Sequence, residues 1–131
     1  MTELIKSLKA EHANIVKTLL DVKELGIATN EGHKKLLAAK AGLLAHLEKE
    51  DQQLYPELLK LAEEDEIVRD ALEFFQEDMV DVSKLALNFF TKYQDDSSNQ
   101  GFSDDFANLT HLLLQRIQKE ESVIYKMYEQ I

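Results

Sequence analysis

The sequence predicts an all-α protein, an up-down-up-down four-helix bundle. Apolar residues recur at intervals of three and four along four separate segments, as they do on helices with one buried face. Only four glycines and one proline interrupt the 131 residues, so the helices can be long. Most connections between the segments are short, which favours antiparallel packing of consecutive helices. We expect a single domain spanning residues 1–131, since a chain of this length suits one core.

The first two helices are expected from about Thr2 to Leu25 and from about Asn30 to Leu61. Thr2 is a suitable N-cap for the first helix, and Gly26 is a suitable stop. Pro56 should kink the second helix or end its regular part, because an interior proline removes a backbone hydrogen bond. The residues expected to face the core are Ile5, Leu8, His12, Ile15, Val16 and Leu19 in the first helix, and Leu36, Leu43, His46, Leu47, Glu50, Leu54 and Leu58 in the second.

The third helix is expected from about Asp65 to Tyr93, and the fourth from Ser103, its N-cap, to about Tyr128. Between them lies YQDDSSNQGFSDD (93–105), a polar stretch with a glycine and the longest connection in the chain. The core-facing residues are Val68, Leu72, Phe75, Met79, Val82, Ala86 and Phe89 in the third helix, and Phe106, Leu109, Leu113, Arg116, Ile117, Glu120, Ile124 and Met127 in the fourth.

The two halves of the sequence resemble each other. EHANIVK (11–17) aligns with DMVDVSK (78–84), and HLEKEDQQLY (46–55) aligns with RIQKEESVIY (116–125). The polar residues of the stripes therefore fall at equivalent depths in the predicted bundle. The matched pairs are His12 with Met79, His46 with Arg116, Glu50 with Glu120 and Tyr55 with Tyr125.

Five polar residues on these stripes should point into the core: His12, His46, Glu50, Arg116 and Glu120. Burying unpaired charge costs several kcal/mol, so something must compensate it. Imidazole nitrogens and carboxylate oxygens suit iron, manganese or zinc, and helix bundles can build such sites from inward-facing side chains. A buried hydrogen-bonded network without metal is the alternative.

The segments EHANIV (11–16), HLEKEDQQLYP (46–56) and RIQKEESVIY (116–125) resemble the hemerythrin-like, or HHE, domain family, and the likeness covers nearly the whole chain. They are similar to that family's first-helix histidine, its second-helix HxxxE with a Leu-Tyr-Pro-like end, and its fourth-helix HxxxE. The resemblance implies a four-helix bundle with a non-heme di-iron centre that binds, transports or senses oxygen, or senses nitric oxide or iron. Carried over by position, it implies His12, His46, Glu50 and Glu120 as metal ligands.

Two positions depart from the family pattern. Met79 and Arg116 stand where the third and fourth helices should each supply a histidine. The chain has four histidines in total. We expect His33, which should lie ~20 Å from His46 along the helix, and His111, on the opposite helix face from Glu120, to be solvated surface residues. A full di-iron site, a depleted site with one metal, and a metal-free bundle all remain open.

Arg116 bears most on that choice, because arginine is permanently charged and is not an ordinary metal ligand. In a metal-free bundle its guanidinium could form charge-assisted hydrogen bonds with Glu50 or Glu120 and replace the metal electrostatically. Alternatively, its stem could lie along the apolar stripe while its head reaches solvent.

Two classes of function fit the sequence. The first is binding of a metal, above all iron, or sensing of oxygen, nitric oxide or iron, through the surviving ligand set. The second is a metal-free protein-interaction or regulatory bundle, favoured by Met79, Arg116 and the net charge of −10. The stretch RIQKEESVI also looks distantly like the corresponding helix of the regulator of sigma D, an anti-sigma protein.

Other functions lack support in the sequence. Nucleic-acid binding would leave a basic footprint, and no segment is apolar for long enough to span a membrane. The inward stripes carry no paired Glu-x-x-His motif of a ferritin-type oxidase, and no serine has a credible base partner, so we expect no enzyme. With no cysteine, disulfides and thiolate chemistry are excluded, and a cytoplasmic location is expected.

Overall fold

The computed structural model describes residues 2–26, 29–93 and 101–130. Within them the chain forms the all-α, four-helix bundle that the sequence predicts, and it contains no strand. Two of the four long helices, or rods, of the bundle are continuous α-helices, and the other two each contain a π-helical turn. The elements are α1 (Glu3–Leu25), α2 (Asn30–Lys49), a first π turn (Glu50–Leu54), α3 (Tyr55–Ala62), α4 (Glu66–Lys92), α5 (Phe102–Lys119), a second π turn (Glu120–Ile124) and α6 (Tyr125–Glu129).

The helix ends largely follow the sequence signals. The Thr2 hydroxyl accepts a hydrogen bond from the Ile5 N–H, and Gly26 ends α1 with a φ of +71°. Ser103, however, is not the N-cap of α5. That position belongs to Gly101, whose φ of +79° lies in the left-handed region, and Ser103 is already inside the first turn. Of the expected connection 93–105, residues 94–100 lie outside the described part of the chain.

The two π turns occupy matched positions of the internal repeat. Each begins at a glutamate of the candidate site, and in each the N–H of the following tyrosine binds the carbonyl of that glutamate, five residues back. Pro56 follows the first π turn and lies in the first turn of α3, but the matched residue after the second is Lys126. The π turn therefore does not require the proline.

Two apolar clusters form the core, one on each side of a polar layer. His12 lies in α1 between Leu8 of one cluster and Ile15 of the other. The other rods cross the layer in the same way, with Met79 between Phe75 and Val82. Most stripe residues are buried as expected, and the stripe residues that are only half-buried are Val16, Leu47, Met79, Ile117 and Met127.

Candidate metal centre

Four buried side chains meet in the polar layer, and they are the four that the sequence singles out as ligands. His12 comes from α1, His46 from the last turn of α2, and Glu50 and Glu120 are the first residues of the two π turns. Their exposed fractions are 3%, 3%, 1% and 2%, respectively. One nitrogen or oxygen atom from each residue lies within 4.8 Å of those of the other three, so a single small cation could contact all four.

Both imidazoles direct Nε2 towards the two carboxylates. His12 Nε2 lies 3.1 Å from Glu120 Oε1, and His46 Nε2 lies 3.4 Å from Glu50 Oε2 and 3.9 Å from Glu120 Oε1. The ring centroids of His12 and His46 are 4.4 Å apart. The two histidines, which the sequence predicts to face the core, therefore lie close together in the bundle interior.

The outward nitrogen of each histidine has its own carboxylate partner. His12 Nδ1 lies 2.8 Å from Glu121 Oε2, and His46 Nδ1 lies 2.8 Å from Glu11 Oε1. Lys49 in turn contacts Glu11 Oε2 at 2.8 Å. In the neutral ring, a carboxylate on Nδ1 favours the tautomer with its proton there, and Nε2 then carries an inward-facing lone pair that can bind a metal. Histidine ligands of protein metal sites are commonly held in this way.

Two atoms of the four candidate ligands, His46 Nε2 and Glu50 Oε1, have no hydrogen-bond partner among the described residues, and neither does Arg116 Nε in the same layer. Buried polar atoms are nearly always paired, so an unpaired nitrogen and an unpaired oxygen in one cluster require an explanation. Both are atom types that coordinate iron, manganese or zinc. The donor set therefore fits a metal ion of this kind.

Two tyrosines complete the cluster, and sequence analysis did not place them in it. Tyr55 donates a hydrogen bond to Glu120 Oε2 over 2.9 Å. The Tyr125 hydroxyl lies 2.8 Å from Glu50 Oε2, 3.0 Å from Glu120 Oε1 and 3.2 Å from His12 Nε2.

The π turns bring these tyrosines to the site. In a regular α-helix a residue five positions after a glutamate is rotated by about 140° from it, since each residue advances by about 100°. A π turn closes a wider loop and brings that residue back towards the face of the glutamate. Regular helical periodicity therefore excludes Tyr55 and Tyr125 from the inward stripes, although both are buried.

Burial and close contacts shift the pKa values of the cluster residues in different directions. Burial raises the pKa of Glu120, but hydrogen bonds with His12 and then His46 outweigh it and hold the pKa well below its ordinary value. Burial raises the pKa of Glu50 to about 7, and the neighbouring charge of Glu120 acts in the same direction. Burial lowers the pKa of His46, but attraction to the carboxylates of Glu120 and Glu50 outweighs it and raises the pKa to about 10. Without a metal, the cluster therefore retains protons on His46 and, below about pH 7, on Glu50.

Arg116 does not bind the carboxylates of the cluster, so the first of its two alternatives, pairing with Glu50 or Glu120, is wrong. Its Nη1 donates to Asp78 Oδ2 over 2.9 Å and its Nη2 to the Phe75 carbonyl over 3.0 Å. The guanidinium carbon also lies 3.2 Å from the centre of the Phe75 ring. The Arg116 side chain is 4% exposed, so the second alternative, a head that reaches solvent, is also wrong. Its guanidinium stays buried and meets Asp78, which is 43% exposed, at the rim of the layer.

A largely enclosed cavity of about 60 Å³ adjoins the cluster. The candidate ligands form part of its wall, and most of the rest is apolar. Met79 and Arg116 also line it, at the positions where the internal repeat would place histidines. Such a volume holds a few water molecules or a small diatomic molecule.

The remaining histidines lie away from the site. His111 is exposed, as expected, whereas His33 is half-buried near the start of α2 and its Nδ1 is shielded from solvent. Neither residue belongs to the ligand cluster. The expectation of a solvated surface histidine is therefore correct for His111 and only partly correct for His33.

Comparison with known proteins agrees with the geometry. Within the described part of the chain, no helix is both long and apolar enough to cross a membrane. Searches of curated proteins and of solved structures gave no match. The family model of the hemerythrin HHE cation-binding domain, however, matches residues 3–128, almost the full length. The chain therefore belongs to the hemerythrin HHE cation-binding domain family.

Proposed function

We propose that this protein binds a single non-heme iron ion through His12, His46, Glu50 and Glu120. One observation carries the proposal: two imidazole Nε2 atoms and two carboxylates converge in a buried layer, and His46 Nε2 and Glu50 Oε1 have no partner among the described residues. Nitrogen and oxygen donors of this mixture suit ferrous and ferric iron. The carboxylates behind both imidazoles support the same reading, because they fix the tautomer that a metal needs.

The proposal is for one ion because the second half of the repeat lacks ligands. Met79 offers only a weakly binding thioether, and Arg116 brings a permanent positive charge. Both residues line the cavity on the side where a second ion would need imidazoles. Since a cation repels a metal ion, this half of the site disfavours a second iron.

The cavity suggests the physiological ligand. It adjoins the candidate ligands and is lined mostly by apolar side chains, so it suits a small, weakly polar molecule. An iron ion held by the four residues would supply an open coordination position for oxygen or nitric oxide. The protein's role is then reversible binding or sensing rather than catalysis, in a cytoplasmic setting that accords with a chain free of cysteine.

Anaerobic titration with ferrous iron tests this proposal. Chelator-treated parent protein should take up one iron per chain by equilibrium dialysis and metal analysis, and His46→Ala should reduce the affinity by at least tenfold. His111→Ala is the matched control, because His111 is an exposed histidine outside the cluster. Nitric oxide should then change the absorption spectrum of the iron-loaded parent and of His111→Ala, but not that of His46→Ala. Equal affinity in the parent and His46→Ala would refute the assignment of the site.

A second candidate function is a metal-free interaction module, and one surface observation favours it. Ile67 and Phe74 lie two turns apart on α4 and are 80% and 71% exposed. Large apolar side chains in such positions are common at protein-binding surfaces. Failure of the parent to bind iron, manganese or zinc in the same dialysis would favour this module. Loss of partner capture in Ile67→Lys or Phe74→Lys would then support it.

A further inference from the structure

The Tyr125 hydroxyl lies at the centre of the proposed iron site. It is within hydrogen-bond distance of three of the four candidate ligands, at 2.8 Å from Glu50 Oε2, 3.0 Å from Glu120 Oε1 and 3.2 Å from His12 Nε2. The side chain is fully buried, with 0% exposure. The second π turn fixes it there, because Tyr125 immediately follows that turn.

The contacts of this hydroxyl exceed what one proton can satisfy. A hydroxyl has a single O–H to donate. Carboxylate oxygens accept hydrogen bonds, and so does His12 Nε2 when Nδ1 carries the proton that faces Glu121. With Glu50 ionised, four electron-rich atoms therefore surround a space that holds one hydrogen. A cation among them would attract all four, including the phenol oxygen.

We infer that Tyr125 is a fifth ligand, which binds ferric iron as a phenolate. This inference rests on the proposed function, since it requires iron at the site. Tyr125 would hold the iron through Oη, and its hydroxyl proton would then pass to solvent. A bound metal ion is the largest local charge in a site and favours deprotonation of its ligands.

Charge balance favours the ferric state for this arrangement. Two carboxylates and one phenolate carry three negative charges, and two neutral imidazoles add none. A ferric ion therefore leaves the group of five ligands neutral, whereas uncompensated buried charge would cost several kcal/mol. With ferrous iron the two carboxylates alone give neutrality, and Tyr125 keeps its proton.

Tyr55 provides a matched comparison within the same site. It is the repeat partner of Tyr125 and also follows a π turn, but within the described ranges its hydroxyl makes one hydrogen bond, to Glu120 Oε2 at 2.9 Å. The Tyr55 hydroxyl therefore contacts one candidate ligand, whereas the Tyr125 hydroxyl contacts three. Tyr55 is therefore a positioning residue for Glu120, and we expect no bond between its hydroxyl and the iron.

Absorption and resonance Raman spectra of the ferric protein test the inference. Chelator-treated protein is loaded with one ferrous ion per chain under anaerobic conditions, and ferricyanide then removes one electron from each ion and becomes ferrocyanide. The parent should develop a phenolate-to-iron charge-transfer band in the visible, and excitation into that band should enhance phenolate ring vibrations. Tyr125→Phe should bind iron at the parent stoichiometry and lose the band, whereas Tyr55→Phe should keep it.

The outcomes separate this inference from the proposal on which it rests. If the parent binds iron but shows no phenolate vibrations, Tyr125 is not a ligand, although the proposed iron site stands. This result needs no variant. Retention of the band by iron-loaded Tyr125→Phe overturns the inference as well. Failure of the parent to bind iron overturns the proposed function and the inference together.

Discussion

Arg116 donates a hydrogen bond to Asp78 over 2.9 Å, and this pair turns the guanidinium away from Glu50 and Glu120. Among the described residues, Arg116 is the one permanently charged cation buried in the polar layer. Its partner, Asp78, lies at the rim of that layer. The carboxylates of the cluster keep their inward-facing oxygens for other partners. Metal binding by the cluster therefore does not require Arg116 to leave a carboxylate first.

Arg116→Leu should lower the stability only modestly. Asp78 is 43% exposed on its side chain, so water can replace the lost partner, and leucine suits the apolar stripe. We expect a loss of about 1–2 kcal/mol, much of it from contacts with Phe75, rather than the ~3–5 kcal/mol typical of breaking a buried pair. Urea melts at pH 7 measure it, with Asp78→Ala as the control. A loss of about 4 kcal/mol or more would show that Arg116 neutralises the cluster.

Met79→His combined with Arg116→His should create a second iron site. The two changes place imidazoles on the cavity wall beside Glu50 and Glu120 and remove the repelling cation. Iron uptake should rise from one to two ions per chain in the anaerobic dialysis. The matched control, Met79→Leu with Arg116→Leu, removes the same side chains without adding ligands. Unchanged stoichiometry in the double histidine variant would mean that the halves of the chain do not match as the repeat implies.

The metal-free protein should lose stability as the pH rises through the alkaline range. The folded pKa of His46 is about 10, above its ordinary value of 6.5, because attraction to Glu120 and Glu50 outweighs burial. A raised folded pKa gives stability that is fully present below pH 6.5 and is lost as the pH approaches 10. The free energy of unfolding of the parent should therefore fall by several kcal/mol more than that of His46→Asn between pH 6 and about pH 9.5. Parallel curves for the two proteins would contradict the charged state of His46.

Glu11→Gln should weaken metal binding without removing a ligand. Glu11 holds the outward nitrogen of His46 at 2.8 Å, and its own pKa is lowered by hydrogen bonds with Lys49 and His46, which outweigh burial. Loss of such a partner typically costs about 10- to 100-fold in metal affinity. Competition against a chelator of known affinity measures it, and Glu48→Gln, on the exposed face of the same rod as His46, is the control. Equal effects of the two variants would point to surface charge instead.

The sequence was sufficient to predict the bundle and the convergence of four side chains inside it, and their role as metal ligands stays a prediction. Helical spacing places His12, His46, Glu50 and Glu120 on inward stripes, and the structure brings them together as that spacing requires. The prediction succeeded because each residue lies on a regular helix or begins a π turn, where the helical period still holds up to that residue.

The features that the prediction missed depend on local departures from that period. A π turn changes the rotation after Glu50 and Glu120, so Tyr55 and Tyr125 reach the site from positions that a regular helix directs away. Matching tyrosines at equivalent places in the repeat were the available signal. The direction of the Arg116 side chain could not be predicted from spacing. Its long stem allows several partners, and the packing against α4 decides that the guanidinium binds Asp78.

The iron content of the protein tests the central claim most directly. Protein expressed with ample iron, purified without chelator and completed by anaerobic addition of ferrous iron should contain one tightly bound iron per chain by mass spectrometry of the digested sample. Two irons per chain would contradict the single-metal site and show that Met79 and Arg116 do not prevent a second ion. No retained iron would contradict the metal centre itself.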